Sequence, residues 1–320
     1  MKEINVFIPS VGRRVELVQL FKKTSKEMNI KSNIIAGDSS KLAPALVFAD
    51  STVILPRIDD KNYIDSIIKA CLNHNVSIII PTIDTELRVF SENRKKIEDN
   101  TSAIILLSSD EVIDICRNKV KTQNYLEQNG FLIPKMYDLS NLPNNITFPL
   151  FIKPKDGSSS INAFKVNNQD ELNIYLKLVD NPILQDCMIG DEYSVDVFLD
   201  LNSNIISIVP RLRIATRAGE ILKGRIVLDK TIIDDVKTLM ETIEPIGHIT
   251  VQLMKTIKGI EYIEINPRFG GGAPMSIMAG ANSCMFIYSI LMGKDIDFDG
   301  NKIKENTYLR FDQSVCIKND

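Results

Sequence analysis

Five consecutive residues, Glu264-Ile265-Asn266-Pro267-Arg268, bring a carboxylate, an amide and a guanidinium together at the end of an apolar run. That run reads as the second strand of a hairpin over 249–265, turning at Lys258-Gly259. A three-residue loop, Ile257-Lys258-Gly259, with glycine as the left-handed residue, would close the hairpin and set Gln252 opposite Glu264. Because side chains alternate along a strand, Glu264, Asn266 and Gln252 then share one face, while Ile263 and Ile265 turn to the core. Carboxylate and amide oxygens suit Mg²⁺, which completes its shell with water and substrate phosphates. Arg268 can grip phosphoryl or carboxylate oxygens through two parallel donors. Beyond it, Phe269-Gly270-Gly271-Gly272-Ala273-Pro274 leads into small residues over 275–281, a backbone loop feeding a helix N-terminus and able to offer N–H groups to an anion.

Two further stretches carry similar chemistry. Lys153-Pro154-Lys155-Asp156-Gly157-Ser158-Ser159-Ser160 joins two strands with small, donor-rich residues that let backbone approach a phosphate, and Lys153 adds a fixed charge. The same composition serves a plain hairpin connection. Over 183–196 a strand, an irregular linker (Gln185, Asp186, Cys187, Met188, Ile189) and a second strand follow one another. Such a linker can offer backbone groups to a base edge, with Glu192 accepting from ribose hydroxyls, or it is a sheet connection with a surface glutamate.

Taken in order, Lys119, Lys153, the 157–160 loop, 185–192, Gln252, Glu264, Asn266 and Arg268 resemble the ATP-grasp superfamily, and most of all stand-alone relatives of the carbamoyl-phosphate synthase large subunit. The most specific match is Glu-Ile-Asn-Pro-Arg-Phe-Gly-Gly-Gly at 264–272. The resemblance implies that Lys119 and Lys153 contact ATP phosphates under a loop of Gly157, Ser158, Ser159 and Ser160. It implies an adenine hinge at Gln185, Asp186, Cys187, Met188 and Ile189, with Glu192 on ribose. Asp186 departs from the family, which more often has Glu, and this bears on adenine affinity rather than activity. Gln252, Glu264 and Asn266 would hold one or two Mg²⁺ ions (Mn²⁺ as an alternative), and Arg268 would stabilise the transferring phosphoryl group. Of Arg211, Arg213, Arg217 and Lys223, Arg217 beside Ala218-Gly219-Glu220 is the preferred substrate contact. The implied reaction activates a carboxylate as an acyl phosphate, which an amine displaces, releasing ADP and phosphate. Its partners are a small carboxylate and a small amine, in a chain that relatives suggest is a homodimer. The rivals are bicarbonate phosphorylation of the carbamoyl-phosphate synthase kind, for which one ATP-grasp unit rather than two is present, and a non-catalytic nucleotide-binding regulator, which would not need Gln252, Glu264, Asn266 and Arg268 together.

These residues need elements to position them. Residues 1–108 alternate short apolar runs (4–8, 33–37, 52–55, 77–80, 103–106) with helical ones (13–28, 61–73, 84–97), implying a doubly wound parallel sheet covered on both faces. Its first loop, Pro9 to Arg14, sits where such folds bind ligands. With Gly12 alone the GxGxxG fingerprint is unmet, although Asp38 could imitate a ribose-binding carboxylate. That loop (Ser10 to Arg14) and Asp84-Thr85-Glu86 line the expected cleft edge, where they could read the substrates; Asp84 and Thr85 equally read as a cap for the helix that follows, the preferred reading. After a boundary near 107–110, residues 109–320 read as α+β with antiparallel sheet: helices at 109–116, 119–129 and 170–179, and strands at 148–153, 161–166, 183–186, 193–200 and 205–213. A small lid subdomain over about 117–187 and a larger one over 188–320 follow from the resemblance. Ile232, Val236, Leu239, Met240 and Ile243 recur at helical spacing, so that helix buries one face.

The 320 residues are enough for two or three packed units and a cleft between them. A net charge of -3 without a basic run argues against nucleic acid as a partner. Five scattered cysteines without a CxxC pair, and two histidines, argue against structural zinc and suit a reducing compartment. The N-terminus lacks signal-peptide features and no stretch approaches about 20 apolar residues, so a cytoplasmic protein without membrane contact is expected.

Overall fold

The computed structural model describes residues 3–143, 145–155 and 162–317. Strands β1 (Ile4–Ile8), β2 (Ser32–Asp38), β3 (Ser51–Ile54), β4 (Ile78–Ile79) and β5 (Ile104–Ile105) form a parallel sheet in the order β3-β2-β1-β4-β5. Every residue of β1 is buried, because helices cover both faces. Val6, Ile8, Ile34 and Ala36 pack toward α1 (Val15–Glu27), while Phe7 and Ile35 pack toward α2 (Tyr63–Asn73) and α3 (Asp84–Glu92). The helix expected over 84–97 is two, α3 and α4 (Arg94–Asn100). They part at Asn93, which lies at φ -115°, ψ 11° and donates its amide to the Val89 carbonyl.

Two short helices follow, each started by a side chain that accepts from its first free N–H groups. Ser109 caps α5 (Asp110–Cys116) and Asn118 caps α6 (Lys119–Gln128), whose first residue is Lys119. Next comes a small sheet of β6 (Met136–Tyr137), β7 (Leu150–Pro154), β8 (Phe164–Val166) and β9 (Pro182–Asp186), ordered β6-β9-β7-β8. With α7 (Gln169–Leu178) it encloses a core of its own around Leu150, Ile152, Leu172 and Leu184.

The larger antiparallel sheet is β14-β13-β10-β11-β12-β15, made of β10 (Gly190–Leu199), β11 (Ile205–Arg217), β12 (Glu220–Ile226), β13 (Gly247–Thr256), β14 (Gly259–Asn266) and β15 (Thr307–Leu309). One face is covered by α8 (Lys230–Ile243), whose buried residues are the Ile232, Val236, Leu239, Met240 and Ile243 of the helical pattern. Helices α9 (Ala273–Ala279) and α10 (Ser283–Leu291) pack instead against α1. There Phe21 meets Phe269 and Tyr288 edge-on, with ring centroids 6.4 and 6.0 Å apart, so one hydrophobic core runs through the N-terminal domain and the C-terminal helices. Among the described residues no single helix is long and apolar enough to cross a membrane; α9 and α10 meet at a bend of 81° inside this shared core.

The β13–β14 hairpin reaches its expected register by an unexpected route. Thr256 pairs with Gly259 (φ +128°), so the turn is the two residues Ile257-Lys258, not three. A bulge then leaves Ile263 without a partner, and Gln252 faces Glu264 after all. In consequence Ile263 is only half-buried; Tyr262 and Ile265 occupy the core positions.

Phe21→Ala should lower unfolding free energy by about 3–5 kcal/mol, the usual cost of emptying a buried aromatic site. Native-state hydrogen exchange should show protection lost together in β1 and α10, because the two share that core; loss confined to β1 would show separate cores.

Candidate functional site

Register builds the site. Glu264 pairs with Gln252, Gln252 with Ser194 and Ser194 with Arg211, forming one cross-strand row. The next row on the same face is Asn266, Thr250 and Asp196. Polar residues at alternate positions of otherwise apolar strands thus make one continuous polar face. Asn266 Nδ2 donates to Glu264 Oε1 at 2.9 Å, joining the rows at the sheet edge. A cavity of about 350 Å³ opens over this face, lined by Gln252, Glu264, Asn266, Arg268, Arg211 and Arg213 and roofed by Arg14, Asp84 and the glycines 270–272.

Arg268 is held from the other domain. Its Nε donates to Asp84 Oδ1 at 2.9 Å and its Nη2 to Asp84 Oδ2, while Nη2 also reaches Asn266 Oδ1 at 3.3 Å. Burial alone would raise the Asp84 carboxyl, but Arg268, Arg117 and Arg14 outweigh it and hold it below the usual carboxylate range. The expected cap role is therefore corrected: Ile83 is the N-cap of α3 without a side-chain bond, and Asp84 spends both oxygens on a guanidinium 184 residues away.

The glycine run spends part of its backbone on itself and on the sheet. The N–H groups of Ala273 and Met275 return to the carbonyls of Gly270 and Gly272, and Gly270 N–H donates to Thr250 Oγ1 at 3.1 Å. What the glycines supply is room. A Cβ on Gly271 would stand 2.0 Å from Glu220 Oε2, and one on Gly272 would stand 2.4 Å from Arg211 Nη1. Arg211 is 1% exposed and pairs with Asp196 through Nε (3.3 Å) and Nη2 (3.0 Å); Asp196 also accepts from Ser276 (2.6 Å) and Thr250 (3.1 Å). Burial pushes the Asp196 carboxyl up, and Arg211, His248 and Ser276 together hold it well below the carboxylate range.

Lys153, next to last in β7, is buried. Desolvation, helped by the like charge of Lys119 and opposed by Glu264, lowers it to about 8. Both lysines and Glu264 thus lie within one electrostatic neighbourhood, where lid meets hairpin. Lys119 Nζ donates to the carbonyls of Pro154 (3.3 Å) and Lys155 (3.2 Å). Gly157, Ser158, Ser159 and Ser160 lie outside the described residues. On the linker, Gln185 is buried in β9, with Oε1 unbonded among the described residues. Asp186 accepts from the Tyr137 hydroxyl at 2.7 Å, and the N–H groups of Asp186 and Cys187 go to the carbonyls of Lys135 and Pro149. Met188 is half-buried and Ile189 exposed.

Glu192, read as a ribose contact, forms an ion pair with Arg213 at 2.9 Å; burial and the like charge of Glu264 raise it against the pull of Arg213. Arg217 stands outside the cavity that holds Glu264. Its guanidinium is exposed and paired with Asp312 at 3.0 Å, whereas Arg211 and Arg213 line the cavity. Lys223 is exposed on β12. Asp38 does not point into a ribose site: its oxygens accept from the N–H groups of Gly12 and Ser40 at 2.8 Å each. Sequence reasoning passed over Asp196 and Thr250, although Ser194-Asp196 and Thr250-Gln252 show the same two-residue polar spacing as Glu264-Asn266.

Among the described residues no three His, Cys, Asp or Glu side chains cluster as a metal cage. Glu264 with the oxygens of Asn266 and Gln252 suits a hard cation that takes most of its shell from phosphates and water, so the donor set fits Mg²⁺.

Residues 6–105 match the PylC-like N-terminal domain family and residues 116–272 the ATP-grasp domain family. A D-alanine–D-alanine ligase of Fusobacterium nucleatum is 32% identical over 97 residues, which are 30% of this chain; the match spans only a third (33%) of that relative's length. Among solved structures, biotin carboxylase from Campylobacter jejuni with an ATP analogue has a TM-score of 0.72 at 19% identity, covering 94% of this chain and 73% of that one. An L-amino acid ligase from Bacillus licheniformis gives 0.72 at 17% identity, covering 96% and 79%. The ADP complex of the N5-carboxyaminoimidazole ribonucleotide synthetase PurK gives 0.73 at 16%, covering 95% and 79%. At these identities the structural likeness is one of fold.

If Lys153 holds phosphate, as the resemblance implies, its lowered pKa makes polyphosphate binding pH-dependent. A polyanion favours the ammonium form, so affinity should be full below about pH 8, where Lys153 is protonated in the free protein, and should weaken above it by up to about tenfold per pH unit. Calorimetric titration with tripolyphosphate between pH 7 and 9.5 reads this directly. Lys153→Arg, charged throughout, should flatten the profile.

Proposed function

From the premise that the chain is an ATP-grasp protein, with a PylC-like N-terminal domain ahead of its ATP-grasp domain, we propose that it is an ADP-forming ligase joining a small carboxylate to an amine. The observation that carries this reading is that the Glu264–Gln252–Asn266 patch and Arg268 in its Asp84 clamp line one cavity, while the buried Lys153 lies near enough to Glu264 to feel its charge. Phosphoryl transfer asks a protein mainly for positioning and charge neutralisation, not for a side-chain nucleophile.

Lys119 and Lys153 are assigned to the phosphates of ATP. The linker Gln185, Asp186, Cys187, Met188 and Ile189 is assigned to adenine. The carbonyls of that linker remain the natural base contacts, since the N–H groups of Asp186 and Cys187 already have acceptors. Glu192 reaches ribose only by sharing its carboxylate with Arg213. Glu264, Asn266 and Gln252 would hold Mg²⁺, which when bound supplies Lewis-acid polarisation of the phosphates. Arg268, oriented by Asp84 and with Nη1 also donating to the Phe269 carbonyl at 3.2 Å, presents its charge and its one remaining N–H to the oxygens of the phosphoryl group or of the carboxylate that attacks it. Such a preorganised donor need not reorient as charge develops. Enclosure under the lid keeps water from an acyl phosphate until the amine arrives. Arg211 and Arg213, which line the cavity, replace Arg217 as the arginines nearest the chemistry. Kinship with the carbamoyl-phosphate synthase large subunit is a narrower reading, and it makes bicarbonate an acceptor to test beside organic acids. A cytoplasmic homodimer acting on small molecules completes the proposal.

An ADP-release screen pairing amino acids, sugar acids and bicarbonate with small amines, followed by product mass, tests the reaction. MgATP binding without ADP release from any pair would sink it in favour of a regulator. Glu264→Ala and Lys153→Ala should each cut turnover by at least about 100-fold, the scale of losing one preorganised electrostatic group, with circular dichroism unchanged. Activity within tenfold of the parent in either variant would overturn these assignments.

A further inference from the structure

The cavity over Glu264 is not closed on the side of the N-terminal domain. A second cavity of about 380 Å³ adjoins it, and the two share Arg14, Ile83, Glu220, Gly270 and Gly271. Its walls are apolar and polar in about equal measure: Val11, Leu17, Leu222, Pro274 and Phe311 form the apolar part, and most of the charged groups are paired among themselves, Arg217 and Arg13 with Asp312, Arg310 with Glu16 and Glu220.

Arg14 stands at the junction, and its charge is the one left over. Arg268 is taken by Asp84, Arg213 by Glu192 and Arg211 by Asp196. Arg14 donates Nη2 to the Thr82 carbonyl and has no ion-pair partner among the described residues. Glu220, Asp84 and Glu86 act on it only at longer range, while burial and the like charge of Arg268 disfavour its cation, lowering it to about 10. A half-buried guanidinium held beside a second one, in a cavity, is a receptor for an anion. A phosphate alone would need no apolar chamber behind it.

Resting on the ligase reading above, we propose that Arg14 receives the carboxylate of the acceptor substrate beside Arg268, and that the acceptor is an organic acid whose apolar body occupies the second cavity. Bicarbonate has no such body. The acid group then lies between the two arginines at the phosphoryl site, and its chain leaves along Val11, Leu17, Leu222 and Phe311.

The test reads binding without turnover. The full chain saturated with MgADP is titrated calorimetrically with acetate, butanoate, hexanoate and 3-phenylpropanoate, and with hexylamine as the cationic counterpart. Affinity should rise about fourfold for each methylene added, the fold-change equivalent of about 0.8 kcal/mol, and hexylamine should bind at least tenfold more weakly than hexanoate. Arg14→Gln should weaken every acid at least tenfold, and Arg14→Lys should restore part of it. Leu222→Gln should flatten the chain-length dependence while sparing acetate. Equal affinity for acetate and hexanoate, preference for the amine, or acid binding that is indifferent to Arg14 would each overturn the proposal. Failure of the ligase reading would appear elsewhere, as absent ADP release with these acid affinities intact.

Discussion

The paired hydrogen bonds between Arg268 and Asp84 are the constraint on which the site's geometry rests. Each partner is nearly buried, with side chains 14% and 12% exposed. Removing Asp84 would strand the Arg268 charge, a loss of about 3–5 kcal/mol for a buried pair, whereas Asp84 without Arg268 would keep Arg117 at 3.6 Å. The pair therefore fixes more than one side chain. It ties the end of β14 to the start of α3, and so holds the polar face of the large sheet at a set distance from the N-terminal domain. The cavity exists because that distance is held, and the core shared by α1, α9 and α10 holds it from behind.

Within the cavity the charges are arranged as pairs, and the pairs differ in what they leave free. Arg211 spends Nε and Nη2 on Asp196 and keeps Nη1 buried and unbonded among the described residues. Arg213 is shared between Glu192, Ser194 and the Gly219 carbonyl. These contacts set the planes of the guanidinium groups before a ligand arrives, so little ordering remains to oppose binding. The missing side chains of Gly271 and Gly272 belong to the same arrangement, because a methyl group at either position would occupy space already filled by Glu220 or Arg211.

The lid follows a different logic. Its core is small and separate; Asp186 reaches Lys258 of the main hairpin at 3.9 Å, and the charge of Lys153 senses Glu264. A unit with its own core can move without unpacking the main one, which is what the nucleotide enclosure proposed above would require. The N-terminal domain cannot behave this way, since Phe21 lies between Phe269 and Tyr288.

Local pattern alone determined the parallel domain, the antiparallel sheet, the buried stripe of α8 and the facing of Gln252 and Glu264, because these follow from periodicities of two and 3.6 and from a turn residue. The route to that facing was not legible: whether a hairpin uses three loop residues or two plus a bulge depends on how Tyr262 and Ile265 compete for core space. Nor could local pattern separate Asp84 as a helix cap from Asp84 as a clamp, since its partner stands 184 residues away and both roles ask for the same side chain. Arg217 drew notice by its neighbours in sequence, while Arg211 and Arg213 reached the cavity because β11 presents alternate residues to one face and Gly272 leaves room there. Residue types and spacings, with the family resemblance they carry, were enough to propose chemistry on ATP and a metal. Which charges are spent on one another, and which, like that of Arg14, remain for a ligand, only tertiary packing decided, because ion pairing is a property of neighbours in space.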